Sequence, residues 1–293
     1  MPDRRYLLLV NTQARTGKGA AAQIEAYLRE KGATVTTVRL NRSVDASAEV
    51  DAHCKGMKGV IVAGGDGTLN RATRGLLACG LPLGVVPLGT ANDFARTLGL
   101  PTETEAALEV ILAGNTREVD VGEVNGHVYL NVASVGFSAT IACELTHEAK
   151  QRWGVLGYAL TTLKTLAKAR PFGATLICDG EVRHVRTLQV AVGNGIFYGG
   201  GLKIAEDAAP DDGRLDTYSL ELAHVSELLA LWPMLKTGTH AAWPTVQTAS
   251  GAQVELYTRR PQPVNADGEL VTQTPAVFKV RPRALRVFVP GAA

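Results

Sequence analysis

Two glycine-rich stretches carry groups suited to holding phosphate: Gly64, Gly65, Asp66, Gly67, Thr68, Leu69 and Asn70, then Gly89, Thr90, Ala91, Asn92 and Asp93. Glycine lets a backbone pass close to a ligand, and Gly64, Gly65 and Gly67 could adopt positive φ and donate exposed amides to phosphate oxygens. Each stretch opens into a helical pattern, whose N-terminus favours an anion, and the Thr68 hydroxyl adds a donor. Asp66 is the informative exception. A carboxylate beside phosphate repels it unless it holds a metal, orients a base or fixes the turn. The competing reading is a tight structural turn, with Asp66 bonded to its own backbone and Asp93 capping a helix.

Further chemistry-bearing groups lie elsewhere. Asn11, Arg15 and Lys18 form a third polar turn whose two cations could neutralise phosphate. Lys18 is not in a G-x-x-x-x-G-K-[ST] setting, and the first strand turn lacks G-x-G-x-x-G, which disfavours a P-loop ATPase and a Rossmann dehydrogenase. Asp267 and Glu269 bracket Gly268 in a turn between strand-like stretches, where a surface hairpin is the plain alternative to an acid–base role. Asp207, Asp211, Asp212 and Asp216 cluster around Pro210 and Gly213; carboxylates and carbonyls there could hold Mg2+ or Ca2+, or form a solvent-facing turn.

The elements that must position these groups alternate. Residues 6–10 read as a buried strand, 20–31 as a helix, 33–40 as a strand and 43–55 as a second helix. Apolar runs at 59–63 and 83–86 enter the two glycine turns, with helices expected at 69–78 and 103–113. This rhythm predicts a parallel sheet covered by helices. After residue 122 the pattern turns strand-rich, at 128–132, 174–178, 185–192, 217–222, 252–258 and 277–289. Asp179-Gly180, Asp212-Gly213 and Asp267-Gly268 are turn signals of antiparallel hairpins. Two helical stretches interrupt it, at 138–168 with a break at Trp153-Gly154, and at 224–237 with a kink at Pro233.

At 293 residues two domains are expected, 1–122 and 123–293, the last strand returning toward the first. The 46% apolar and 20% charged fractions exclude a disordered chain, and a net charge of +2 disfavours a nucleic-acid binder. Cys54, Cys79, Cys143 and Cys178 are too scattered for a zinc or staple pattern and read as buried thiols of a cytoplasmic protein. No segment reaches 18 apolar residues, so any lipid contact is expected to be peripheral, at the inner face of a membrane.

The runs GGDGTLN at 64–70 and GTANDFA at 89–95 together resemble the catalytic family of diacylglycerol and sphingosine kinases, in particular its bacterial YegS-like lipid-kinase branch. The resemblance extends over nearly the whole chain, to Asn11, Gly193-Asn194-Gly195, Gly199-Gly200-Gly201, Asp211-Asp212-Gly213 and Asp267-Gly268-Glu269. It implies an α/β N-terminal domain with a β-rich, antiparallel sandwich-like C-terminal domain, a fold like that of NAD kinase and diacylglycerol kinase. It places ATP against Asn11, Gly64, Gly65, Asp66, Gly67, Thr68, Leu69, Asn70 and Thr90. Glu269 becomes the leading general base, Asp267 its support, and Asp66 a group that places Mg-ATP. A second Mg2+ is implied on the Asp212 side chain and backbone oxygens at Ala209 and Arg214. Many relatives carry glutamate after GDGTLN, where this chain has Arg71, a change that bears on a bridging contact or nucleotide preference.

The implied reaction is transfer of the ATP γ-phosphate to a hydroxylated lipid. A basic and apolar segment at 147–170 and an apolar helical face of Leu222, Val225, Leu228, Leu229, Trp232 and Leu235 could meet a membrane surface or pack internally. A soluble NAD or sugar-phosphate kinase is the enzyme alternative, and an inactive nucleotide- or lipid-binding protein the other. A homodimer is left open.

Overall fold

The computed structural model describes residues 4–13, 17–41, 43–137, 139, 170–222 and 225–291. Arg15, the helical stretch expected at 138–168 apart from residue 139, the basic and apolar segment up to residue 169, Cys143 and His224 lie outside the described residues.

The chain divides into two compact units, Met1–Val121 with Pro282–Ala293, and Gly122–Arg281. The first begins with strand β1 (Arg5–Asn11), helix α1 (Gly17–Glu30), β2 (Thr34–Leu40), α2 (Ala46–His53), β3 (Gly59–Gly64), α3 (Asp66–Cys79) and β4 (Leu83–Pro87). Short α4 (Asp93–Thr97), then α5 (Thr104–Ala113), follow. The strands pair in parallel in the order β2-β1-β3-β4, and Val287 near the chain end lies beside Leu83 of β4. Strands buried on both faces need unbroken apolar runs, which β1 and β3 supply. Tyr6, Leu8, Val10, Ile61 and Ala63 pack with Ile24 and Leu28 of α1 and Leu108 and Ile111 of α5. The alternate residues Leu7, Leu9, Val60 and Val62 face the other side, fully buried, where α2 and α3 pack on β1 and β3.

With α1 on one face and α2 and α3 on the other, the sheet reverses its winding direction between β1 and β3. The carboxyl ends of strands at such a point form a natural ligand crevice. Asn11 ends β1 and Gly64 ends β3 there.

Helix α3 begins at Asp66, three residues before the expected 69, so Asp66, Gly67 and Thr68 are its first turn and not a loop. The positive φ that glycine could adopt is also absent: Gly64, Gly65 and Gly67 are outside the left-handed region, and Gly65, the N-cap, has φ −102° and ψ −175°. What Gly64 and Gly65 provide is closeness. A Cβ on Gly64 would lie 2.6 Å from Thr68, and one on Gly65 would lie 3.0 Å from the Gly89 Cα.

The second unit is built from β5 (Thr116–Val124), β6 (His127–Tyr129), β7 (Val132–Gly136), β8 (Phe172–Cys178), β9 (Glu181–Thr187), β10 (Gln189–Gly193), β11 (Phe197–Tyr198), β12 (Leu202–Lys203) and β13 (Leu215–Leu220). Helix α6 (Val225–Thr237), with Pro233 inside it, precedes β14 (Val246–Gly251), β15 (Gln253–Thr258), β16 (Pro263–Ala266), β17 (Glu269–Gln273) and β18 (Ala276–Phe288). β5 and β18 each run from one unit into the other.

Antiparallel β15, β8, β9 and the start of β18 form one sheet, and β14-β13-β10-β7-β16-β17 another. Their inner faces share a core, with Leu176, Val254, Leu256 and Phe278 from the first meeting Val135, Val190, Val192 and Val264 from the second. The outer face of the second sheet is covered by Leu231 and Leu235 of α6 with Leu222, so Leu222 and Leu235 of the expected lipid-facing stripe are core residues. The side chains of Val225, Leu228, Leu229 and Trp232 lie outside the described residues.

Three two-residue hairpins have both central residues left-handed: Asn125-Gly126 (φ 48°, 84°), Asp179-Gly180 (46°, 91°) and Asp267-Gly268 (47°, 92°). This backbone matches strand twist and selects Asn or Asp followed by Gly. Asp212-Gly213 is not a hairpin turn. Only Gly213 is left-handed (φ 74°), and the turn feeds β13, whose partners are β10 and β14.

Candidate active site

At the switch point of the first unit, three loop ends are tied by side chains. Asn11 Nδ2 donates to Thr68 Oγ1 at 3.0 Å, linking β1 to the first turn of α3. The Asp66 carboxylate accepts from the amides of Asp93 (3.2 Å) and Phe94 (3.0 Å), so it caps α4 from the neighbouring turn. Of the roles open to Asp66, the structure shows the turn-fixing one, exercised across the two glycine stretches and not on its own backbone. Asn92, left-handed at φ 50°, closes the second stretch by accepting from the Gly89 amide and donating to the Gly89 carbonyl, both at 3.0 Å. Gly89 and Gly65 then meet backbone to backbone.

The N-cap of α3 is Gly65, which has no side chain to offer its first-turn amides. First-turn amides without an intrahelical acceptor, at the positive end of the helix dipole, form an anion-binding arrangement. Gly67 is exposed in that turn and a Cβ there would meet nothing within 4 Å. Thr90 is exposed on the adjoining stretch. Leu69 differs from its neighbours: it is 2% exposed, its amide bonds to Gly65 O, and its side chain is part of the core. Arg71 turns away from the glycine stretches to donate to the carbonyls of Asn41 (3.0 Å) and Val44, pinning the loop before α2.

In the second unit, the Asp267 carboxylate accepts three backbone amides, from Leu130 (2.7 Å), Asn131 (3.0 Å) and Val132 (3.1 Å). Its counterparts in the other two hairpins act alike. Asp179 accepts from Ala252 and Gln253 amides, and Asn125 Oδ1 from the Val277 amide. A short polar side chain at the first position of such a turn reaches the adjacent strand, so Asp267 ties its hairpin to residues 130–132. Glu269 opens β17 opposite Ala266, is exposed, and has no partner among the described residues. Sequence reasoning passed over the amides of Leu130, Asn131 and Val132, which hold Asp267; no side-chain signal marks a backbone donor. The role of Asn92 had a signal, since Asn is one of the few residues that tolerate the left-handed region.

Asp207, Asp212 and Asp216 of the acidic cluster line a cavity of about 870 Å³ together with Glu206 and Arg214. Among the described residues no three His, Cys, Asp or Glu side chains converge to hold a metal, so the four aspartates do not form a carboxylate cage. Asp212 is exposed and accepts from the Arg214 amide at 3.0 Å. Burial pushes the Asp216 carboxyl above its ordinary range, against a Ser250 hydrogen bond, with the Asp212 and Asp207 charges adding to the rise. A carboxyl raised on folding is most favourable to the folded state when protonated, and that contribution is lost as pH rises through its folded pKa. Asp216→Asn is therefore expected to raise the denaturant midpoint at neutral pH in chelator-treated buffer. The gain should shrink as pH falls through the carboxylate range, which paired unfolding curves at about pH 7 and about pH 4 would check.

Residues 5–124 match the diacylglycerol kinase catalytic domain, and residues 131–289 match the YegS C-terminal domain, described as NAD kinase β-sandwich-like. A diacylglycerol kinase of Mycobacterium tuberculosis is 32% identical over 95% of this chain and 94% of its own length. One of Bacillus subtilis is 30% identical over 92% and 90%. The crystal structure of a diacylglycerol kinase from Bacillus anthracis superposes with a TM-score of 0.83 at 25% identity, covering 99% of both chains. Two domain matches in the order of the two units, and relatives aligned along almost their whole length, show that the chain belongs to the bacterial YegS/diacylglycerol kinase-like family of lipid kinases.

Proposed function

We propose that this chain transfers the γ-phosphate of ATP to a hydroxyl of a diacylglycerol-like or related lipid. The observation that carries the nucleotide half is the glycine-led start of α3 at the sheet's switch point, with Gly67 exposed and open above it. There the phosphates would meet helix amides, the Thr68 hydroxyl held by Asn11, and Thr90. Asn70 completes the contact set. Asp66 keeps the second glycine stretch in place and helps position Mg-ATP.

Glu269 acts as general base. The lipid oxygen forms a bond to the γ-phosphorus, the bond from that phosphorus to the β–γ bridging oxygen breaks, and ADP leaves with the electron pair. The hydroxyl proton passes to the Glu269 carboxylate. Asp267 fixes the hairpin from which Glu269 projects, so the geometry of the base rests on three backbone hydrogen bonds. Mg2+ supplies charge neutralisation of the transferred phosphoryl group. For a second, structural Mg2+, the exposed Asp212 carboxylate with the carbonyls of Ala209 and Arg214 is an all-oxygen donor set that suits a hard cation.

Among the described residues no helix is long and apolar enough to cross a membrane. In this reading the lipid is taken from the membrane surface. ADP release tests this reading. It should rise several-fold when micelles carrying a hydroxylated lipid are added, and fall to baseline with a chelator. A rise with soluble NAD or a sugar phosphate, and none with micelles, would favour a soluble kinase.

A further inference from the structure

In a run of strand–helix–strand units with parallel strands, successive helices on one face run the same way, so α2 and α3 lie side by side and parallel. Their seam is tight. Ser47 Oγ donates to Arg71 O at 2.8 Å, and the Gly75 amide donates to Ser47 Oγ at 3.1 Å. A Cβ on Gly75 would come 2.5 Å from Ser47 O and 2.9 Å from Val50 Cβ. Val50 of α2 lies against Gly75 of α3, and one turn further along both parallel helices stand Cys54, the C-cap of α2, and Cys79, the last residue of α3. Cys54 is close enough to add to the rise in the Cys79 thiol pKa, and both residues are partly exposed. Their sequence positions give no hint of this; the buried, separate thiols expected for these two are corrected by the helix packing.

We propose that Cys54 and Cys79 form a reversible dithiol–disulfide site that takes a peroxide as its oxidant. One thiolate attacks a peroxide oxygen, giving a sulfenic acid and, with hydrogen peroxide, one water. The other sulfur then displaces the sulfenic hydroxyl, forming the S–S bond and releasing a second water, so two thiols are oxidised and one peroxide reduced. A small-molecule thiol reverses it by exchange.

The surroundings set the rate. Burial pushes the Cys79 thiol up, against the Leu81 amide that donates to its sulfur at 3.5 Å, and the Cys54 thiol and Asp51 carboxylate beside it push in the same direction as burial. Oxidation should therefore quicken as pH rises above neutral, since the thiolate is the reactive form. The bond would tie the last turn of α3 to the end of α2. This is the helix whose first turn carries Asp66 and Thr68. The site is independent of the lipid-kinase reading.

Peptide mapping of the whole protein after hydrogen peroxide treatment, without reductant, tests the pair. The expected result is a linked peptide holding Cys54 and Cys79, lost on adding dithiothreitol, with a thermal midpoint about 5–10 °C higher in the oxidised form. In Cys54→Ser, Cys79 should instead be trapped as a sulfenic acid by dimedone, with no upward shift. Both thiols consumed with no link between them, or both left titratable under peroxide, would overturn the proposal.

Discussion

Glu269→Gln is expected to lower lipid phosphorylation by about 10²–10⁴-fold, the usual contribution of a positioned general base. Glutamine keeps the size and one acceptor oxygen of the side chain but cannot take the proton. The variant should fold normally, because Glu269 is exposed and has no partner among the described residues. A thermal midpoint matching the parent, together with unchanged ATP affinity, would assign the loss to the chemical step. Near-normal turnover in the folded variant would remove Glu269 from the base role. Asp267 is the opposite case. Its carboxylate occupies three backbone amides, so its replacement should disturb stability as well as activity.

Gly89→Ala should cost about 1–3 kcal/mol of stability and lower turnover by about 10²-fold or more. A Cβ there would stand 2.6 Å from the Gly65 Cα and 2.7 Å from Asn92 Oδ1. The first of these is backbone, which cannot rotate aside, so the two glycine stretches would have to part. Parting them would move the Asp66 carboxylate away from the amides of Asp93 and Phe94. Gly67→Ala supplies the contrast. Space is open at Gly67 and its φ is not left-handed, so the folded chain should keep or slightly gain stability. Its ATP turnover should nonetheless fall, because the added methyl enters the room we assign to phosphate. Denaturant unfolding and steady-state kinetics on both variants would separate a packing role at Gly89 from a ligand role at Gly67.

The sequence made parts of this arrangement legible through simple physics. Residues 6–10 and 59–63 are unbroken apolar runs, and a strand buried on both faces has no other way to be written. Asp179-Gly180 and Asp267-Gly268 announced hairpins because few other pairs accept two left-handed residues in succession. The start of α3 was hidden for a related reason. Glycine reads as a helix breaker, yet Gly65 serves as N-cap and Gly67 lies in the first turn, where an anion site needs bare backbone. Strands β14, β16 and β17 are short and largely polar on one side, which leaves little periodicity to detect.

The side-chain ties were less accessible still. Asp66 could be read as a metal ligand, a base-orienting group or a turn residue, and only the folded geometry shows it accepting from Asp93 and Phe94. Arg71 spends its guanidinium on the carbonyls of Asn41 and Val44, which braces α3 against the loop before α2. Cys54 and Cys79 stand one turn beyond the Val50–Gly75 contact because α2 and α3 pack in parallel, a long-range consequence of the sheet's winding that no local spacing encodes.

The central claim is phosphoryl transfer to a lipid hydroxyl, and the most direct measurement follows the phosphorus itself. The protein would be incubated with Mg2+ and γ-labelled ATP against a panel of diacylglycerol, phosphatidylglycerol and sphingoid-base micelles, with products identified by mass. Label is expected in a lipid whose mass has grown by one phosphoryl group, and about 10²-fold less of it or lower when Glu269 is replaced by Gln. A folded protein that binds ATP yet labels no lipid on the panel would contradict it.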